Sequence, residues 1–178
     1  GVGRAVAFAR SGGQASMRRL ARDPRWEAVI AVAPDTAVGQ PIWPRGLRRV
    51  PQGRGDLGAR MQRMLDRMPP GPVVVVGTDI PRIRPAHVAQ AFGLLGRADA
   101  VLGPAGDGGY WLVGLSRRRR RLTPFGRVRW SSPDALSDTL ANLARSTVLL
   151  AATLEDVDDA AGLKRDALRI GRLVLPAG

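Results

Sequence analysis

Cysteine is missing altogether, which removes disulfide bridges, thiolate metal sites and a cysteine nucleophile together. Lysine is nearly missing too: Lys164 is the only one, so the formal charge of +13 is carried by arginine. Aromatic residues make up 4% of the chain, too few for the stacking platform that a nucleic-acid binder of this charge needs, and no docking motif is readable. The arginines are scattered through predicted helices and loops, a bias that a GC-rich coding sequence produces unaided. A nucleic-acid partner is therefore not expected. His87 is the single histidine, and with no serine or cysteine partner recognisable by spacing it supports no catalytic triad. No apolar run approaches the ~20 residues that cross a bilayer, and the N-terminus lacks the hydrophobic core of a signal peptide. A soluble, cytoplasmic protein without a membrane span is expected, and a length of 178 residues suits a single domain over residues 1–178.

What the chain does have is a repeated alternation of strand and helix patterns. Pro72 to Pro81 carries four valines and then Gly77, Thr78 and Asp79. A continuous β-branched run of this kind reads as a central parallel strand buried on both faces. Further strands are predicted at Trp26–Ala33, Leu47–Val50, Asp99–Gly103, Tyr110–Leu115 and Thr147–Leu154, with a final apolar segment at Leu173–Leu175. Helices are predicted at Ser16–Arg22, after Asp56, at Pro85–Leu95, from Ser132, and up to Leu168. Leu57, Met61, Met64, Leu65 and Met68 share one helical face, read as the face packed on the sheet. Asp56 is placed equally well to cap that helix or to meet a ligand. The pattern as a whole is α/β with a largely parallel sheet. The five arginines Arg117–Arg121 read as a solvated loop, with an acidic partner, a membrane surface or a phosphate-bearing substrate as alternatives.

In open α/β sheets ligands bind outside the carboxyl ends of the strands. Three acidic positions stand there: Asp79 after the valine strand, Asp107 in a glycine loop, and Asp156 with Asp158 after the Thr147 strand. Oxygen ligands without histidine or cysteine select Mg2+ or Mn2+, which neutralises a diphosphate leaving group. Asp79 and Asp158 are the candidate metal ligands. Gly108 and Gly109 allow close backbone approach to a sugar or phosphate, and Asp107 is placed to accept a hydroxyl as the candidate catalytic residue.

The ordered set Gln52-Gly53-Arg54-Gly55-Asp56-Leu57-Gly58 with Arg60-Met61, Gly77-Thr78-Asp79-Ile80-Pro81, Gly103-Pro104, Asp107-Gly108-Gly109-Tyr110-Trp111-Leu112, Trp130-Ser131-Ser132 and Asp156-Val157-Asp158 resembles a bacterial glycosyltransferase-like family. That family, formerly a domain of unknown function, belongs to the nucleotide-diphospho-sugar transferase superfamily, and the resemblance covers roughly Arg18 to Lys164. It implies a three-layer α/β/α, Rossmann-like GT-A fold and a metal-dependent glycosyltransferase acting on a nucleotide-diphospho-sugar, with an acceptor left unidentified. Asp79 matches the superfamily's metal-binding acid and Asp158 its late acidic partner. Gln52, Gly53, Asp56, Thr78, Gly108, Gly109 and Tyr110 form the candidate substrate- and nucleotide-binding set.

Two other readings stay open: a nucleotidyltransferase of the 2-phospholactate guanylyltransferase type, and a non-catalytic scaffold that binds a partner or polyanion through its arginines. The resemblance departs at the front. Family members begin with a strand and a basic glycine loop, and this chain is read as lacking both, through truncation or loss. A missing central strand would expose sheet edges, so pairing into a homodimer is expected.

Overall fold

Val73–Val76 forms strand β4, and all four valines are buried. They point alternately into two cores. Val74 and Val76 join one hydrophobic cluster and Val73 and Val75 the other, because successive side chains of a strand face opposite sides. The computed structural model describes residues 3–8, 14–77, 82–118, 120–154 and 172–173, with side chains from Met17 to Leu154 within those ranges. In chain order the elements are β1 (Gly3–Phe8), α1 (Gln14–Ala21), β2 (Trp26–Val32), β3 (Arg48–Pro51), α2 (Leu57–Arg67), β4, α3 (Pro85–Leu95), β5 (Ala100–Pro104), β6 (Tyr110–Leu115), α4 (Ala135–Asn142), β7 (Val148–Leu150) and β8 (Arg172–Leu173).

The strands make one sheet in the order β3-β2-β1-β4-β6-β5-β7-β8. Pairs β3/β2, β2/β1, β1/β4 and β5/β7 are parallel, whereas β6 runs antiparallel to both of its neighbours. Helices α1 and α3 supply Met17, Leu20, Val88, Ala91, Leu94 and Leu95 to the core on one face. Helix α2 supplies Met61, Met64 and Leu65 to the other, where Leu143 packs at the end of α4. The three-layer α/β/α architecture read from the sequence is the observed one. Leu57 alone leaves the expected apolar stripe of α2, since it is 36% exposed.

One expectation is overturned. The first strand is present: β1 lies at the centre of the sheet, with Ala5 in register with Ala28 of β2 and Val74 of β4. Its signal was weak because Gly3 opens it and Ala5 and Ala7 are two of its six residues, both poor strand formers. The exposed-edge argument for a homodimer loses its premise with that correction. The basic loop read as missing would follow β1, and residues 9–13 there lie outside the described residues. The predicted acidic turn at 155–159 and the helix up to Leu168 also lie outside them. Among the described residues no helix is long and apolar enough to cross a membrane.

Candidate functional site

The chain runs from β1 to β2 and β3 on one side of the sheet, then returns through α2 to β4 on the other side of β1. That reversal puts a topological switch point between the carboxyl ends of β1 and β4, the position at which open α/β sheets form a ligand crevice. Thr78, Asp79 and Asp158 lie outside the described residues, but the residues that flank them on the N-terminal side are informative. Gly77 N donates to Trp111 O at 2.9 Å. Leu154 N donates to Pro104 O at 3.1 Å, and Leu154 forms a parallel bridge with Ala105. The segments leading to both acids therefore depart from opposite flanks of the β5–β6 hairpin.

The tip of that hairpin carries Asp107, an exposed residue whose Oδ1 accepts from Gly109 N at 2.9 Å. Gly108 N donates to Ala105 O at 3.3 Å and Ala105 N to Gly109 O at 3.0 Å. The two glycine N–H groups expected to face a ligand are thus engaged inside the turn. Among the described residues no donor meets the second carboxylate oxygen of Asp107. Gly108 has φ +84°, and a Cβ there would stand 2.3 Å from Pro133 O, so both the turn and the close approach require glycine. Tyr110 is half-buried, with its hydroxyl 3.3 Å from Thr139 Oγ1. Burial pushes the tyrosine hydroxyl far above its ordinary range and outweighs the opposing hydrogen bond with Thr139, so it stays protonated at any physiological pH.

Across the switch point, the loop after β3 is fixed largely by its own polar groups. Gln52 is buried, donates through Nε2 to Ala31 O at 3.0 Å, and accepts through Oε1 from Arg60 Nη1 at 3.3 Å. Gly53 N donates to Asp35 Oδ1 at 2.9 Å. Arg63 clasps the same loop through the carbonyls of Gln52 and Arg54. Asp56 caps α2, its Oδ1 accepting from Ala59 N at 2.7 Å. Of its two readings, capping is the one the geometry displays.

Trp130 joins the two loops, a role that spacing along the sequence did not reveal. A Cβ on Gly58, in the first turn of α2, would stand 2.9 Å from the Trp130 ring and 2.8 Å from Phe125 Cβ. On its other side Trp130 meets Tyr110 edge-on, with centroids 6.4 Å apart. The motifs around Gly58, Tyr110 and Trp130 are thereby brought into one packed unit. Arg129, next in sequence, pairs with Asp134 at 2.6 Å and Asp138 at 2.8 Å. Its hydrogen bond holds the Asp138 carboxyl down at about 2. His87 sits in the first turn of α3, where Nδ1 accepts from Arg84 N at 3.2 Å and the ring packs edge-on against Trp111. Among the described residues no group of three His, Cys, Asp or Glu could hold a metal ion.

Comparison with known proteins agrees with this geometry. The model of a bacterial protein family described as "Uncharacterized protein conserved in bacteria (DUF2064)" matches residues 16–132. No curated protein matches the chain. Among solved structures, a Desulfovibrio desulfuricans G20 protein provisionally named a nucleotide-diphospho-sugar transferase superposes with a TM-score of 0.72 at 22% identity, covering 92% of this chain and 89% of that one. CMP:2-keto-3-deoxy-manno-octonic acid synthetase, solved with CTP, gives a TM-score of 0.56 at 12% identity over 92% of this chain and 96% of its own. Glucosyl-3-phosphoglycerate synthase from Mycobacterium tuberculosis, solved with Mn2+, UDP and its product, gives 0.56 at 13% identity over 87% and 70%. These likenesses establish the fold as that of nucleotide-diphospho-sugar transferases and nucleotidyltransferases.

Proposed function

We propose, for a chain that belongs to the DUF2064 family of bacterial proteins, a metal-dependent transferase that uses a nucleotide-diphospho-sugar as donor. The observation that carries this reading is the switch point, with the segments that lead to Asp79 and Asp158 departing from the two flanks of one hairpin. Asp79 and Asp158 are assigned to hold Mg2+ or Mn2+, a donor set of carboxylates that suits a hard cation. When bound, such a cation neutralises charge on a diphosphate leaving group. Asp107 is assigned to the acceptor side, where its unengaged oxygen is available to a hydroxyl. The packed unit of Gly58, Trp130 and Tyr110 keeps the loops on either side of the crevice in fixed relation, which favours a positioned substrate. Support also comes from the Mn2+ and UDP held by glucosyl-3-phosphoglycerate synthase, which shares the fold.

Calorimetric titration of UDP-glucose and related nucleotide sugars, with Mn2+ and with EDTA, tests the reading. Binding is expected to tighten with metal, and Asp79→Asn to remove the metal-dependent part. Equal binding in EDTA, or an unaffected variant, would sink it. Nucleotidyl transfer is the second reading, favoured by the likeness to a synthetase solved with CTP. Pyrophosphate released from a nucleoside triphosphate only when a sugar or phosphate acceptor is present would select it.

A further inference from the structure

We propose that a cavity at the amino edge of the sheet, remote from the switch point, binds a small phosphate-bearing anion. The cavity measures about 470 Å³, within the ~300–1,000 Å³ common for small-molecule sites. Leu65, Leu115 and Leu122 give it an apolar side, and Arg117, Arg120 and Arg121 a cationic one. Leu115 pairs with Val73 and Ala100, the first residues of β4 and β5, so the cavity lies at the end of β6 opposite Tyr110.

The guanidinium groups are already held in place. Arg117 donates to Met68 O at 2.9 Å and Pro69 O at 2.8 Å. Arg120 uses only Nη2, on Arg145 O at 2.7 Å and Ser146 Oγ at 3.0 Å. Its Nε and Nη1 meet no acceptor among the described residues. Arg121 engages Asp66 through Nε and Nη2 at 3.2 and 2.6 Å, which leaves its Nη1 for a further partner. Donors fixed in advance cost little further ordering when an anion arrives, and a guanidinium fork matches phosphate oxygens.

Charge and hydrogen-bond accounting narrow the ligand. Asp66 also lines the cavity and offsets one of its three arginines. Burial alone would raise the Asp66 carboxyl, but hydrogen bonds from Arg121 and Gln62 hold it below its ordinary range. Among the described lining residues two positive charges remain, which a phosphate dianion balances and a single carboxylate does not. Gln62 fixes its own amide by donating through Nε2 to Asp66 Oδ1 and Leu122 O, both at 3.1 Å. Its Oε1 is left buried without a partner.

Calorimetry with glycerol 3-phosphate, inorganic phosphate and glycerol tests the site. Glycerol 3-phosphate and inorganic phosphate are each expected to bind one per chain, and glycerol not at all. Arg120→Met should weaken both by about tenfold or more, the scale of a lost charged hydrogen bond. Asp66→Asn should tighten both anions. Arg45→Met, at an exposed arginine outside the cavity, should change nothing. No binding at millimolar probe, or the same affinity in Arg120→Met as in the parent, overturns the site. If Arg120→Met fails to fold, Asp66→Asn decides: tightening supports the site, and an unchanged or weaker affinity overturns it.

Discussion

At the carboxyl edge of the sheet the hairpin tip and the start of α2 are held by what glycine leaves out, whereas at the amino edge the helix ends are held by how far arginine reaches. Gly58 and Gly108 let Trp130 and the Pro133 backbone close in where a Cβ would collide. On the opposite edge, Arg117 grips the carbonyls that end α2, Arg118 those of Leu95 and Gly96 that end α3, and Arg120 that of Arg145 in the turn after α4. Cations at helix carboxyl ends satisfy orphan carbonyls and oppose the dipole. The difference bears on the meaning of the charge. Much of the arginine block is committed to the protein's own backbone, so a net charge of +13 does not by itself demand a polyanionic partner. The reading as a polyanion-binding scaffold loses its best argument there.

The comparison breaks most sharply at Gly108. Gly108→Ala combines a left-handed residue with a backbone collision, and urea unfolding should register a loss of about 3 kcal/mol. On the arginine edge the corresponding change is Arg117→Met, which removes the bonds to Met68 O and Pro69 O. A smaller loss of about 2 kcal/mol is expected from hydrogen bonds of a charged, part-buried donor. If Arg117→Met proves the costlier of the two, the ranking of the edges is wrong.

The third change sharpens the comparison at an arginine on the packed side, Arg129. Asp138 titrates at about 2 when folded because Arg129 hydrogen-bonds to it, against an ordinary ~3.9 for the unfolded chain. A depressed carboxyl stabilises above the unfolded value and loses that contribution as pH falls through the folded one. Melting temperatures of Asp138→Asn and the parent should therefore differ at neutral pH and converge between about pH 4 and 2.

Much of the scaffold was legible because burial imposes period. The valine run gave β4, and the helix predicted at Pro85–Leu95 is α3 with the bounds observed. The stripe of Met61, Met64 and Leu65 pointed to the face of α2 that packs on the sheet. β1 was illegible because its alanines and opening glycine carry no strand propensity, and its identity as a strand rests on pairing with β2 and β4. The antiparallel course of β6 was equally hidden, since an apolar run has no direction. The arginine block was read as a solvated loop, and Arg118, Arg120 and Arg121 are exposed, but what anchors it was hidden. Its acceptors are backbone carbonyls up to 49 residues away in sequence, and a carbonyl has no signature in a list of side chains. At the candidate site, Asp107, Gly108 and Tyr110 were read as a glycine loop running into a strand and lie at the tip of one hairpin, whereas Trp130, which ties Tyr110 to Gly58, was quoted only as part of a motif. Contact between residues so far apart in the chain leaves no periodic trace.

The arginine-capped edge has a consequence for cooperativity. Helices ordinarily fray one at a time, each from its own terminus. Here the short segment containing Arg117, Arg118 and Arg120 closes over the ends of α2, α3 and the turn after α4 together. Opening that one loop would break the bonds to the ends of α2 and α3 and to the turn after α4 together, so both layers of helices share a tie that belongs to neither.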